Sequence, residues 1–195
     1  IYDLLATLPG VRSWRRAAAA ELSLSRGATV VEMGCGTGAN LPHLRAAVGP
    51  EGRVLGLDVT REMLSRARGR ADADLLWGDA TRPPLSGSIE GLLGTFVVGM
   101  FADPRPAVDR WVGMLAPGGR IALLNAGRAD RAVARPLNLA FRGFVRAAAP
   151  GERGVSPTRS LERRVATARD QVRRRCETTD FEEFGAGYLG LQWGE

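Results

Sequence analysis

A short apolar run leads into three glycines within five residues, and this junction constrains the fold more than any other part of the sequence. Residues 30–33 read Val-Val-Glu-Met, and Gly34, Gly36 and Gly38 follow at alternate positions. The β-branched run predicts a buried strand, and the glycines predict a sharp turn whose backbone a ligand can approach closely because no Cβ stands in the way. The helix predicted after the turn offers free N–H groups and a partial positive charge to an anionic group.

The same alternation of short apolar segments and amphipathic segments continues to about residue 125. It predicts βαβ units, and right-handed crossovers then place helices on both faces of a mostly parallel sheet. Ligands of such sheets bind beyond the carboxyl ends of the strands, next to the first strand. We predict strands at 28–33, 53–57, 74–77, 92–98 and 120–124, a turn at 117–119, and helices at 40–48, 61–70 and 104–115, with Thr60 and Asp103 as N-caps.

The two ends of the chain follow a different pattern. Residues 1–25 predict a helical N-terminal cap, and helical spacing recurs at 136–149 and 158–171 around a loop at 150–157. Two further strands are predicted at 173–178 and 186–193, joined through 181–185. We find neither an internal repeat nor a low-complexity linker, so the sequence predicts one domain over 1–195.

Carboxylates follow two more of the predicted strands. Asp58 ends the second strand, where it can accept hydrogen bonds from both hydroxyls of a ribose. Asp79 follows the third strand and is placed to accept a hydrogen bond from an exocyclic amine such as that of adenine. The glycine turn and the two carboxylates together indicate a ligand that contains adenosine.

Two cofactor classes are open at this point, because Gly34, Gly36 and Ala39 also satisfy the dinucleotide pattern GxGxxA. Glu32 lies two residues before the first glycine, where a carboxylate suits a ligand with an ammonium and a sulfonium group better than a pyrophosphate. A short-chain dehydrogenase would also need a Tyr-x-x-x-Lys pair, and the chain contains no lysine. The alternatives kept are an NAD-dependent oxidoreductase and a non-catalytic cofactor-binding protein of the same fold.

In their order and spacing, these motifs resemble those of the class I S-adenosylmethionine-dependent methyltransferases. The resemblance covers 12–125, with Glu-Met-Gly-Cys-Gly-Thr-Gly at 32–38, Gly-Leu-Asp at 56–58, Gly-Asp-Ala at 78–80 and Leu-Ala-Pro-Gly-Gly at 115–119. Tyr-Asp at 2–3, Trp-Arg-Arg at 14–16 and Arg-Glu-Met-Leu at 61–64 are similar to the branch of quinone-biosynthesis and phospholipid N-methyltransferases. The resemblance implies an α/β fold: a Rossmann-like, doubly wound, mostly parallel seven-stranded sheet with a C-terminal antiparallel hairpin, helices on both faces, and a helical substrate-cap insertion at 128–172.

The resemblance also implies roles for individual residues. Glu32 and the glycine turn would hold the amino-acid end of S-adenosylmethionine, Asp58 its ribose, and Asp79 with the Ala80 amide its adenine. The cofactor-binding set predicted in this way is Glu32, Gly34, Cys35, Gly36, Gly38, Asp58, Val59, Asp79, Ala80 and Thr95. No catalytic residue and no metal ligand is assigned, because methyl transfer from a sulfonium is an in-line displacement for which the cofactor carries the chemistry.

The acceptor side departs from this branch. Many relatives carry a His-His pair before an Asp-Pro, whereas here residues 99–104 read Gly-Met-Phe-Ala-Asp-Pro, so no histidine role transfers and the mouth of the site is more apolar. By the resemblance, Thr95 and Phe96 would face the methyl group, and Arg16 or Tyr2 would reach the cofactor carboxylate. For a general base the sequence offers His43, Asp103 and Asn125, each better explained by packing, capping or a loop.

Composition narrows the remaining function classes. Without lysine, a P-loop and Schiff-base chemistry are excluded. Two cysteines and one histidine are too few for a disulfide framework or a four-thiolate zinc site. We therefore expect a cytoplasmic protein, with attachment to the inner face of the membrane left open.

The positive charge is concentrated in one part of the chain. Residues 128–175 hold 13 arginines and four acidic residues, whereas the remainder holds 14 arginines and 17 acidic residues. Such a block indicates either an anionic partner or a solvated arginine-rich helix face. We expect a small-molecule or lipid-like acceptor and no nucleic acid, with peripheral membrane contact through 128–175 as the open alternative.

Overall fold

The computed structural model describes residues 9–126, 157–184 and 187–195, with side chains from residue 12 in the first range and from residue 160 in the second. The helix predicted at 136–149, most of the predicted cap at 128–172, and Tyr2 lie outside these residues. Within them no helix is long and apolar enough to span a membrane.

Strands and helices alternate through residues 9–126, as the sequence predicts. The elements are α1 (Pro9–Ala20), β1 (Thr29–Met33), α2 (Leu41–Val48), β2 (Arg53–Asp58), α3 (Arg61–Ala67), β3 (Asp74–Trp77), β4 (Ile89–Thr95), a 3-10 turn (Val98–Met100), α4 (Arg105–Val112) and β5 (Leu115–Ala126). The C-terminal part adds α5 (Pro157–Arg175), β6 (Thr179–Phe184) and β7 (Leu189–Gly194).

The described strands form one seven-stranded sheet in the order β3-β2-β1-β4-β5-β7-β6. The first five are parallel in their pairings, and β7 runs antiparallel to both β5 and β6. The strand order reverses between β1 and β4, which is where an open α/β sheet binds its ligand. The predicted fold class is therefore confirmed, including the antiparallel hairpin at the C-terminal end.

Each face of the sheet buries its own apolar cluster. One cluster holds residues of α4 and α5, among them the fully buried Trp111, against Met33 and Leu123. The other holds residues of α1, α2 and α3 against Val30 and Leu93. Helices on both faces explain why β1 and β4 are almost continuously apolar, since such strands have no solvent-facing side.

The fourth strand lies three residues earlier than the predicted range 92–98. β4 runs from Ile89 to Thr95, and the chain then turns at Phe96, whose φ is +57°. Val97 and Val98 stay apolar because they are buried in the turn beyond the strand. An apolar run alone does not distinguish a strand from a buried turn.

The strand predicted at 173–178 is wrong. Residues 173–175 end α5, and the strand lies at Thr179–Phe184, so Phe181 is inside β6 and not in the connection. Val165, Ala168 and Val172 carry the buried helical face down to the last turn, and the three arginines that follow are exposed. Cationic side chains are favoured at the carboxyl end of a helix, which allows α5 to include them.

Smaller differences concern the ends of elements. The Thr60 side chain makes no capping hydrogen bond, and α3 ends at Ala67, before the predicted residue 70. The N-cap residue of α4 is Pro104, so the prediction of Asp103 as N-cap is wrong by one residue, although Asp103 Oδ1 accepts a hydrogen bond from the Arg105 amide at 3.1 Å. The predicted turn at 117–119 lies within β5 as a bulge, because Leu115 pairs with Ile89 and Arg120 already pairs with Gly91.

Candidate functional site

The glycine turn after β1 has the backbone that the sequence predicts. Gly34, Gly36 and Gly38 have φ of +69°, +54° and +78°, a region that favours glycine. A Cβ on Gly34 would lie 2.6 Å from Val97 Cγ2, and one on Gly38 would lie 2.9 Å from Leu41 Cδ1, whereas one on Gly36 would meet nothing within 4 Å. The outer two glycines therefore allow close packing, and the middle one borders open space.

Asp58 closes this turn from the end of β2. Its Oδ2 accepts a hydrogen bond from the Gly36 amide at 2.8 Å, and its Oδ1 accepts one from the Thr60 amide at 2.8 Å. Each carboxylate oxygen can accept a further bond. The carboxylate is thus held at the open edge of the turn with acceptor capacity left for a ligand.

Behind the turn lies a buried polar cluster of Arg15, Glu32, Asn40 and Thr95. Asn40 Nδ2 donates to Glu32 Oε1 and, at 3.0 Å, to Thr95 Oγ1. Arg15 Nη1 donates to Asn40 Oδ1 at 3.1 Å, and its guanidinium lies 5.4 Å from the ring centroid of Phe96. Two buried atoms of groups of opposite charge, Glu32 Oε2 and Arg15 Nε, have no hydrogen-bond partner among the described residues.

Burial dominates the acid–base behaviour of two residues here. Desolvation raises the pKa of Glu32 to about 7, although Asn40, Arg15 and Thr95 each favour the charged form. Desolvation, together with the nearby Glu32 and Asp58 carboxylates, raises the pKa of the Cys35 thiol far above its usual range. Cys35 is therefore neutral and unreactive, because the nucleophile in cysteine chemistry is the thiolate.

The ends of β2 and β3 form the other side of the site. Asp79 Oδ1 accepts a hydrogen bond from the Thr81 amide at 2.8 Å, and the Ala80 carbonyl accepts one from Trp111 Nε1 at 2.7 Å. Val59 and Trp77 are exposed apolar side chains, and Trp77 Nε1 donates to the Val59 carbonyl at 2.9 Å. These contacts leave an apolar rim beside the Asp79 carboxylate.

The structure brings the predicted residues of β1, β2, β3 and β4 to one edge of the sheet. Two members of the buried cluster were missed: Arg15, where Arg16 was named, and Asn40. Arg16 is exposed, and only Arg15 reaches the cluster. A run of similar side chains on one helix does not show which of them turns inward. Asn40 follows the glycine turn closely, and this position is the sequence feature that could have identified it as a member of the cluster.

The residues present fit S-adenosylmethionine. The open space at Gly36 leaves room for a ligand against the backbone, and the orphaned Glu32 Oε2 is an acceptor suited to an ammonium group. Asp58 can accept bonds from ribose hydroxyls without losing its bonds to the turn. Within the described ranges no group of three histidine, cysteine or acidic side chains is arranged to hold a metal ion.

Comparison with known proteins agrees with this geometry. Residues 30–119 match a family model described as a methyltransferase domain. A 2-phytyl-1,4-naphtoquinone methyltransferase of Thermosynechococcus vestitus is 34% identical over 117 residues, which cover 57% of this chain and 52% of the relative. The chain thus spans about half the length of that curated relative.

Solved structures show the same fold. A possible exported protein of Bordetella parapertussis superposes with a TM-score of 0.73 at 20% identity, covering 96% of this chain and 69% of that one. A SAM-dependent methyltransferase of Aquifex aeolicus superposes with a TM-score of 0.59 at 18% identity, covering 92% of this chain and 88% of that one. The motifs, the strand order and the matched domain agree: residues 30–119 are similar to a methyltransferase domain, and the described part of the chain has the fold of the superposed structures.

Proposed function

We propose that this protein transfers a methyl group from S-adenosylmethionine to a small-molecule or lipid-like acceptor. The observation that carries the proposal is the glycine turn, where a Cβ on Gly36 would meet open space and the Gly36 amide donates to the Asp58 carboxylate. S-Adenosylmethionine, when bound, supplies an electrophilic methyl group on its sulfonium. The chain then has to bind the cofactor and the acceptor, orient them and exclude water from the site.

The proposed binding residues divide this work among four strand ends. The turn at 34–38 and Glu32 hold the amino-acid end, with Arg15 and Asn40 fixing the Glu32 carboxyl through the buried cluster. Asp58 binds the ribose, and Asp79 with the Ala80 amide binds the adenine beside the apolar Val59. Thr95 completes the set at the end of β4. Orientation of two reactants in this way can contribute roughly 7–11 kcal/mol to catalysis.

The proposed acceptor is apolar in part, because the loop after β4 offers few polar side chains. Met100 is 78% exposed at the 3-10 turn, and Phe101 packs edge-on against Trp111 with ring centroids 5.8 Å apart. The relative from Thermosynechococcus vestitus is named for a naphthoquinone substrate, which supports testing reduced quinones first. Asp103 is not proposed as a general base, because its carboxylate forms an ion pair with Arg105 at 2.8 Å.

Peripheral membrane contact is proposed for the arginine-rich region 128–175. Of its described part, Arg163 and residues 173–175 are exposed on α5, and two of these arginines form ion pairs, Arg173 with Asp170 at 3.6 Å and Arg175 with Asp109 at 3.2 Å. Exposed arginines attract anionic lipid headgroups and lose that attraction in salt. Co-sedimentation with vesicles of phosphatidylcholine and 30% phosphatidylserine, roughly a physiological charge density, tests the contact, and equal binding to pure phosphatidylcholine vesicles removes it.

Calorimetric titration and turnover test the main proposal together. We expect the protein to bind S-adenosylmethionine and S-adenosylhomocysteine and not to bind NADH. The Asp58→Ala variant should bind S-adenosylmethionine more weakly. Transfer of a labelled methyl group is then measured over a panel that includes reduced naphthoquinones and phenols. Binding of NADH in place of S-adenosylmethionine favours an oxidoreductase, and cofactor binding without transfer to any acceptor favours a non-catalytic protein.

A further inference from the structure

A small polar cavity lies between α5 and the neighbouring strands β5 and β7. Its lining side chains and backbone come from Leu123, Asn125, Val165, Arg169, Gly190 and Gln192, and the space is about 10 Å³, room for about one water-sized group. Leu123 and Val165 belong to the core cluster of the α4–α5 face, whereas the Arg15 cluster lies on the α1 side. The cavity is therefore separate from the cofactor residues described above.

The most buried polar atom of the cavity is the side-chain oxygen of Gln192. This residue is 2% exposed, and its Nε2 donates to the carbonyl oxygens of Asp180 at 2.8 Å and Trp193 at 3.1 Å. Those two bonds fix which way the amide faces. They leave Oε1 buried and without a partner. An unsatisfied buried acceptor costs roughly 1–3 kcal/mol, so this atom needs a donor that none of the described residues supplies.

Two more polar side chains line the same space without hydrogen bonds to any described residue. Asn125 is buried at the end of β5, and its amide makes none. The Arg169 guanidinium is half-buried and makes neither a hydrogen bond nor an ion pair there, although it packs 3.9 Å from the centroid of the Phe181 ring. Burial, and secondarily the nearby Arg173, lowers the pKa of Arg169. Three polar groups thus meet at one small space with bonding capacity to spare.

Gly190 explains how the guanidinium is held in this position. A Cβ at Gly190 would lie 2.9 Å from Arg169 Nη2 and 2.8 Å from Phe181 Cε2. The missing side chain therefore lets the guanidinium and the ring meet across β7. Packing against the ring keeps the group at the cavity, although no carboxylate of the described residues forms an ion pair with it.

The cavity adjoins the acceptor side of the proposed active site. A Cβ on Gly99, in the 3-10 turn after β4, would lie 3.6 Å from Val165 Cγ2, and Arg164 Nη1 donates to the Gly99 carbonyl at 3.3 Å. In the sheet, Asn125 follows Leu124, which pairs with Thr95 at the end of β4. Asn125 therefore lies on the strand next to β4, with its side chain on the α5 face of the sheet together with Leu123, whereas Leu124 packs on the opposite face.

We infer that this cavity is an acceptor subsite for a single hydroxyl oxygen, which accepts hydrogen bonds from Arg169 and Asn125 and donates one to Gln192 Oε1. Only a group that both accepts and donates satisfies all three side chains. A carboxylate has no proton to donate to Gln192, and an ammonium is repelled by Arg169. A water molecule has the same chemistry as the hydroxyl and is the competing occupant. The acceptor role of the subsite rests on the proposed methyltransferase function.

Fluorine NMR with two matched probes tests this subsite in the full chain loaded with S-adenosylhomocysteine. The probes are 4-fluorophenol and fluorobenzene, which differ only in the hydroxyl. We expect the wild-type protein to bind 4-fluorophenol about tenfold more tightly than fluorobenzene, because the hydrogen bonds of one buried hydroxyl contribute roughly this much to affinity. Gln192→Met and Arg169→Met should each reduce this preference to about twofold or less. Arg163→Met, which removes an exposed arginine from the same helix, is the matched control and should keep it.

Two results overturn the inference. One is equal binding of the two probes to the wild-type protein, with a crystal structure showing only water between the three side chains. The other is an undiminished phenol preference in both variants. Arg169→Met leaves the hairpin bonds of Gln192 intact, so it serves if Gln192→Met fails to fold. Calorimetry with S-adenosylmethionine on the same samples separates the two proposals. If the protein does not bind the cofactor but still prefers 4-fluorophenol, the methyltransferase proposal and the acceptor role of the subsite are wrong. The proposed binding of a hydroxyl group in the cavity then still stands.

Discussion

The region around β1 and β2 and the region around β5, β7 and α5 are built in different ways. Around β1 and β2, the backbone itself forms the site: a turn of glycines, closed by one carboxylate that binds the Gly36 and Thr60 amides. Around β5, β7 and α5, side chains far apart in sequence line a small cavity, as with Asn125, Arg169 and Gln192. The first arrangement depends on backbone conformation, and the second depends on which side chains the fold brings together.

The largest expected difference between the two regions concerns their crowded glycines. Gly34→Ala places a Cβ 2.6 Å from the buried, branched Val97 in a left-handed conformation, whereas Gly99→Ala places one 2.2 Å from the terminal Cδ1 of the half-buried Leu161. A flexible side-chain end can move and a β-branched one cannot. We expect Gly34→Ala to lower the free energy of unfolding by about 2–5 kcal/mol and Gly99→Ala by about 1 kcal/mol or less.

Urea denaturation of the two variants measures this difference. Val97→Ala in the Gly34→Ala background should recover the steric part of the loss and leave the backbone strain. If Gly99→Ala proves the more damaging, the description of a rigid cofactor turn and a more adaptable acceptor loop is incorrect.

The next effect is the dependence of stability on pH, which distinguishes the buried cluster from the exposed surface. Burial raises the pKa of Glu32 from 4.5 to about 7. Between these values the folded protein binds the proton that the unfolded chain has already released, so stability falls as pH rises from about 4.5 to 7 and is constant, from this group, on either side. The fall is at most about 3 kcal/mol.

Glu32→Gln removes the titrating proton and should flatten this part of the pH profile measured by urea denaturation. Glu90→Gln, an exposed carboxyl at the start of β4, is the control that should leave the slope in place. An unchanged slope in Glu32→Gln would show that Glu32 ionises normally in the fold.

A smaller effect separates two neighbouring arginines of α1. Arg15 is buried and donates to Asn40, whereas Arg16 is exposed. Arg15→Met should destabilise the protein by about 1–3 kcal/mol at pH 8, because it leaves the Asn40 oxygen without this donor and removes the positive charge near the Glu32 carboxylate. Arg16→Met should change stability by no more than about 0.5 kcal/mol. The loss in Arg15→Met should shrink at pH 5, where Glu32 is neutral, and equal losses in the two variants would contradict the cluster.

The contrast between the regions also explains what the sequence could predict. The cofactor side depends on neighbours in the chain: Gly34 to Gly38 and the strand-end Asp58 signal their conformations locally, and their positions in the fold follow from alternating strands and helices. Arg15 could not be chosen over Arg16 in this way, because its partners lie 25 and 80 residues away. The cavity at Gln192 could not be predicted from the sequence either. The strand predicted at 173–178 lies at Thr179–Phe184, and residues 173–175 belong to α5.

One matched pair of substitutions tests the central claim most directly. Gly36 and Gly69 both have left-handed backbones, with φ of +54° and +78°, and a Cβ at either would meet nothing within 4 Å. Replacing each by alanine therefore adds a similar strain, but only Gly36 borders the proposed cofactor space. Calorimetric titration with S-adenosylmethionine should show affinity reduced by about tenfold or more in Gly36→Ala and unchanged in Gly69→Ala. Equal affinity in the two variants would contradict the claim that this turn binds the cofactor.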